Sequence, residues 1–85
     1  MYVHIGKECV INSDNIVAIF NIKAITKKKE LKEICNNMRI SDNIIDVSEN
    51  NKKTLILYKI NKNIKVYITN ISSNTIAKRC NLKVC

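Results

Sequence analysis

Apolar and polar positions alternate along Tyr2-Val3-His4-Ile5 and stop at Gly6, which predicts a first strand closed by a turn. Glu8-Cys9-Val10-Ile11-Asn12 repeats the pattern as a second short strand, and Ser13-Asp14-Asn15 is a turn cluster. Ile16-Val17-Ala18-Ile19-Phe20-Asn21-Ile22 is β-branched and apolar at nearly every position, as in a strand covered on both sides. From Thr26 to Met38 the period changes. Leu31, Ile34, Cys35 and Met38 fall on one helical stripe, with Lys28, Lys29, Lys32 and Glu33 on the wet side. Alternation returns at Ile44-Ile45-Asp46-Val47 and runs through Thr54–Ile60 and Asn63–Thr69. In the last of these, Ile64, Val66 and Ile68 face one way and Lys65, Tyr67 and Thr69 the other. Asn61-Lys62 suits a hairpin, because Asn tolerates positive φ. Ser72 or Ser73 caps a final short helix on which Ile76 and Cys80 share a face and Lys78 and Arg79 sit toward the C-terminal end, where the helix dipole favours cations.

These elements predict an α+β fold: a small, mostly antiparallel sheet of about six short strands, one amphipathic helix and a short C-terminal helix. Residues 1–80 form a single domain and 81–85 a flexible C-terminal tail. The apolar strand faces exceed what two helices cover, so self-association is expected.

Composition narrows the function. Eighty-five residues allow one domain. One Gly and no Pro leave no glycine-rich phosphate loop. The longest apolar run, Ile16–Phe20, is far short of a membrane span, and the N-terminus lacks a signal-peptide pattern, so a cytoplasmic chain is expected. Cys9, Cys35, Cys80 and Cys85 lie 26, 45 and 5 residues apart, which matches no zinc pattern. Cys9 and Cys35 read as core thiols, Cys80 and Cys85 as incidental ones. His4 is the only imidazole, and no nucleophile–base set accompanies it. No catalysis and no cofactor are expected.

Charge points to a binding partner. The net charge is +8, and residues 46–85 hold eight cations against two carboxylates. A basic half of this kind suits double-stranded DNA. Thirteen Asn, 16 Ile and 13 Lys also mark A+T-rich coding, which raises Lys content without selection for charge. The candidate phosphate contacts are Lys52 and Lys53, where a loop enters a strand, then Lys62, Lys65 and Lys78. The helix face Lys27-Lys28-Lys29-Lys32 is weaker, because helix surfaces are commonly lysine-rich. A homo-oligomer would repeat each patch and add avidity. The alternative is an oligomeric scaffold whose apolar strand faces hold a protein partner without touching DNA.

Three blocks carry a family likeness. Tyr2-Val3-His4-Ile5-Gly6, Ser13-Asp14-Asn15-Ile16-Val17-Ala18-Ile19-Phe20 and Ile71-Ser72-Ser73-Asn74-Thr75-Ile76-Ala77-Lys78-Arg79 occur in the order and spacing of the small bacterial extracellular matrix regulatory protein RemB family. The resemblance spans about residues 2–80. It implies a cytosolic regulator of extracellular matrix (biofilm) genes. The related RemA proteins are DNA-binding transcriptional activators that form rings and grip duplex DNA with arginines at the rim. The family's basic pair falls at or beside Asn51-Lys52-Lys53, where Lys keeps the charge but lacks the guanidinium fork. Its other basic position falls near Asn15, which is neutral here. Arg79 is expected to pair with Asp46, Asp14 or a neighbouring subunit.

Overall fold

The computed structural model describes residues 1–24 and 44–81. The amphipathic helix expected over 26–38, with its lysine face, and the tail beyond Asn81 lie outside them. The described elements are β1 (Tyr2–Gly6), β2 (Cys9–Asn12), a 3-10 turn at Ser13–Asn15, β3 (Ile16–Asn21), a second at Ile22–Ala24, β4 (Ile44–Asp46), β5 (Thr54–Ile60), β6 (Asn63–Thr69) and α1 (Ser73–Cys80).

The strands form two sheets rather than one. β1 and β2 make an antiparallel hairpin, and the others a four-stranded sheet in the order β3-β5-β6-β4. The break follows from chain geometry: after Asn12 the 3-10 turn redirects the chain, and Asn12 caps it by accepting from the Asp14 N–H. β4 runs parallel to β6, with Ile45 opposite Tyr67. β5 and β6 form the hairpin expected at Asn61-Lys62, where Asn61 takes φ 56°.

Alternation along β5 and β6 sends apolar side chains to both faces of the larger sheet. Ile19, Ile56, Tyr58 and Tyr67 pack under the β1–β2 hairpin and α1, with Val3, Ile5, Ile11, Ile76 and Cys80. Leu55, Leu57, Val66 and Ile68 form a second cluster with Ala18, Phe20, Ile22 and Ile64. Burying one such side chain contributes about 1.5–3 kcal/mol. Cys80 is therefore a core thiol rather than an incidental one, and Cys9 is half-buried beside the same cluster.

β3 sends side chains to both clusters, Ile19 to the first and Ala18 and Phe20 against the second, but its cover is incomplete. It is an outer strand of its sheet, and its register with β5 slips between Ile16 and Ala18. Val17 falls in that slip and is 55% exposed, while Ile22 leaves the strand for the 3-10 turn. An apolar run alone does not tell a central strand from a bulged edge.

Polar groups join the layers. The Tyr58 hydroxyl accepts from the Asn12 N–H at 3.1 Å and from Asn15 Nδ2 at 3.3 Å, tying the hairpin's exit to the large sheet. Thr69 Oγ1 donates to the Ile5 carbonyl and accepts from the Ile71 N–H, and Thr54 Oγ1 donates to the Ile71 carbonyl at 2.7 Å. These bonds bring β1, the start of β5 and the start of α1 together at one end of the sheet.

Candidate nucleic-acid interface

Lys52 and Lys53 close the loop that enters β5. The preceding turn holds Glu49 at φ 53° and Asn50 at φ 69°, and the Asn51 N–H donates to the Ser48 carbonyl at 3.0 Å. Lys53 is then fixed by its own backbone. Its N–H donates to the Thr69 carbonyl and its carbonyl accepts from the Ile22 N–H, each at 3.0 Å. The lysine side chain thus projects from a backbone anchored to β6 on one side and to the end of β3 on the other.

The two lysines differ electrostatically. Lys52 Nζ lies 4.0 Å from Asp46 Oδ2, an exposed pair. Lys53 makes no ion pair among the described residues and is the freer cation. Asp46 stays ionised at neutral pH. The Ser48 hydroxyl donates to Oδ1 at 2.5 Å and the Ser48 N–H at 2.8 Å, and these bonds hold its carboxyl below the usual aspartate range, with smaller help from the Lys52 and Lys7 charges. The stabilisation accompanying a depressed acid is present at neutral pH and is lost as pH falls through the folded midpoint. In Ser48→Ala the Asp46 midpoint, followed by carboxyl-carbon NMR, is expected to rise toward the ordinary value of 3.8. An unmoved midpoint would show that the hydroxyl is not the main cause.

The other candidates lie elsewhere. Lys62 sits in the β5–β6 turn and Lys65 opposite Tyr58 in β6. Seven-residue β5 separates Lys62 from Lys53, roughly 20–25 Å, while Lys65 lies opposite the fifth residue of that strand. Lys78 is exposed near the end of α1. Asn15 lies at the far end of β3 from Asn21, and Asn21 is the residue that pairs with Thr54 beside Lys53. The chain therefore holds the Asn15 and Lys52-Lys53 positions at opposite ends of its sheet. What the sequence reading missed is Lys23. The Asn21–Thr54 register carries it to the same end as Lys53, 30 residues away in the chain, and both line a groove with Asn21, Ser72, Ser73 and Asn74. Only the β3–β5 pairing reveals that neighbour.

Arg79 does not pair with Asp46 or Asp14. Its Nη1 donates to the His4 carbonyl at 2.8 Å, tying the end of α1 to β1, while Asp14 lies 3.8 Å from the Met1 ammonium. Burial pushes the Cys9 and Cys80 thiols up, so both are protonated at neutral pH and are poor nucleophiles. Among the described residues no group of three or more His, Cys, Asp or Glu is placed to hold a metal ion, and no helix is long and apolar enough to cross a membrane.

The described residues thus place a basic loop with hydrogen-bonded backbone and a lysine-lined groove on a small α+β scaffold. The chain belongs to the RemA-like family: the family model described as extracellular matrix regulatory protein A-like matches residues 2–80. Membership makes it an extracellular matrix regulatory protein and suggests a non-enzymatic role. Among curated proteins none matches the sequence.

Proposed function

We propose that the chain is a cytoplasmic, DNA-binding transcriptional regulator of matrix genes, of the RemB branch of its family, that works as a homo-oligomer and grips duplex phosphates through Lys52 and Lys53. The observation that carries this reading is the anchored backbone of Lys53, at or beside which the resemblance places the family's basic pair. A backbone held on both sides loses little further freedom on binding, so more of each lysine–phosphate attraction appears as affinity. Self-association has separate support. The β1–β2 register places Tyr2, His4, Val10 and Asn12 on one outward face, where Tyr2 is 75% and Val10 53% exposed. Apolar side chains left on a strand face suit a second copy. An oligomer also supplies what one subunit lacks, a way to bring opposite ends of neighbouring sheets to one duplex.

The test is duplex affinity measured across salt concentration. A phosphate binder is expected to give a linear fall of log K with log salt, with a slope of about −0.9 per phosphate neutralised. A protein that binds no duplex at low salt is instead the scaffold for a protein partner, and the DNA reading fails.

A further inference from the structure

We propose that the turn at Glu49-Asn50, ahead of β5, reads base edges in a duplex groove while Lys52 and Lys53 hold the phosphates beside it. This rests on the DNA reading and adds to it a source of sequence preference.

The turn is held in a conformation that its first central residue resists. Glu49 has φ 53° and Asn50 φ 69°, and the Asn51 N–H donates to the Ser48 carbonyl at 3.0 Å. Two left-handed residues inside such a closure make a turn that ordinarily takes Gly, Asn or Asp. Asn50 fits that preference and Glu49 does not. Its Cβ crowds the backbone there, and a glutamate is too long for the local hydrogen bond by which Asn or Asp offsets the crowding. The surrounding fold imposes the shape. β4 and β5 lie on either side of β6, so the loop between them crosses the end of that strand. The Val47 N–H donates to the Ile68 carbonyl at 2.8 Å on one limb, and the Lys53 N–H to the Thr69 carbonyl at 3.0 Å on the other. Ser48, fully buried, is bonded twice to Asp46. A strained residue persists where its surroundings over-determine it, and such residues cluster at ligand-gripping sites.

The chemistry of the turn is also wrong for a phosphate grip alone. Glu49 and Asn50 are both exposed. A carboxylate next to Lys52 and Lys53 repels the phosphates that those lysines attract, and Glu49 makes no ion pair with either lysine among the described residues. The same two side chains match base edges in the major groove. A carboxylate accepts from the cytosine N4 amino group, and an asparagine amide spans adenine N6 and N7. Lysines on phosphates fix register and carry no sequence information. A carboxylate and an amide fixed on a clamped turn beside them supply it. The partner is therefore a duplex that offers cytosine and adenine edges where its backbone meets the loop.

Selection from a random-sequence duplex pool, bound to the full 85-residue chain, tests this. The wild-type chain is expected to enrich sequences with cytosine and adenine at fixed positions. Glu49→Gly and Asn50→Gly preserve the turn, since glycine takes positive φ freely, and both should melt no lower than the wild type. Glu49→Gly is expected to cut the ratio of affinities for the enriched and a scrambled duplex about tenfold. The scrambled duplex should be bound at least as tightly as before, and the salt slope should not move, because no phosphate contact is lost. Asn50→Gly is expected to relax the adenine position in the same way. A pool left unenriched by a wild-type chain that does bind duplex, or the same affinity ratio in both glycine variants, overturns base reading and leaves the phosphate contacts standing. Absence of duplex binding at low salt ends the DNA reading, and the role of the turn with it.

Discussion

Gly6→Ala is expected to lower the thermal midpoint by roughly 10–20 °C, about 2–4 kcal/mol for a domain of this size. Gly6 has φ +128°, a region L-residues rarely adopt, and holding a side chain there costs on the order of 1–3 kcal/mol. Space is short as well. An added Cβ would lie 3.2 Å from Thr69 Oγ1, 3.3 Å from Val47 Cγ2 and 3.4 Å from the Val47 carbonyl oxygen. None of these yields easily. Thr69 Oγ1 is committed to the Ile5 carbonyl and the Ile71 N–H, and the Val47 N–H is bonded to the Ile68 carbonyl at 2.8 Å. Gly6 thus sits where β1 presses on the ends of β4 and β6, and relief by movement would loosen the start of α1 too. A circular-dichroism melt of Gly6→Ala measures the effect. A drop of less than about 4 °C would mean that the hairpin relaxes without cost and that this contact does not fasten the two sheets.

Much of this fold is legible in the residues themselves. Period-two alternation locates β5 and β6, because a strand buried on both faces still needs Leu55 and Leu57 on one side and Ile56 and Tyr58 on the other. A serine cap for α1 is legible at 72 or 73, and the structure makes it Ser72, whose hydroxyl accepts from the Thr75 N–H. Pairing is what the chain conceals. Nothing in Ile44-Ile45-Asp46 says that this three-residue strand runs parallel to β6, since all three residues are exposed and show no buried face. Nor does the run Ile16–Phe20 disclose the slip that throws Val17 outward. The candidate site shares this limit. Lys52-Lys53 is visible as a basic pair entering a strand, but Lys23 and Ser73 join Lys53 only through the β3–β5 register and the Thr54–Ile71 bond. Cys80 reads as incidental in a lysine-rich ending, yet the helical turn from Ile76 carries it into the core.

Charge reversal at the loop, Lys52→Glu with Lys53→Glu, is expected to cut low-salt duplex affinity by about 10³-fold for a single engaged subunit, and further in an oligomer. Two unit charges 4 Å apart interact by about 1 kcal/mol in bulk water. Exchanging attraction for repulsion swings about 2 kcal/mol per residue and about 4 kcal/mol for the pair, close to three decades in Kd. The two single variants are not expected to be equal. Lys52 already faces Asp46 at 4.0 Å, so its field at a phosphate is partly cancelled, whereas Lys53 has no such partner among the described residues. Lys53→Glu alone should therefore weaken binding more than Lys52→Glu alone. Lys62→Glu makes the same change in net charge at the opposite end of β5, and its loss should be the smallest of the three. The fold should survive, because Lys52 is exposed and the bonds that anchor Lys53 belong to its backbone. Fluorescence anisotropy on one duplex at several salt concentrations, beside a thermal melt of each variant, measures all of this. Equal losses at positions 52, 53 and 62 would mean that the duplex senses only total charge, and binding unchanged in the double variant would remove the loop from the interface.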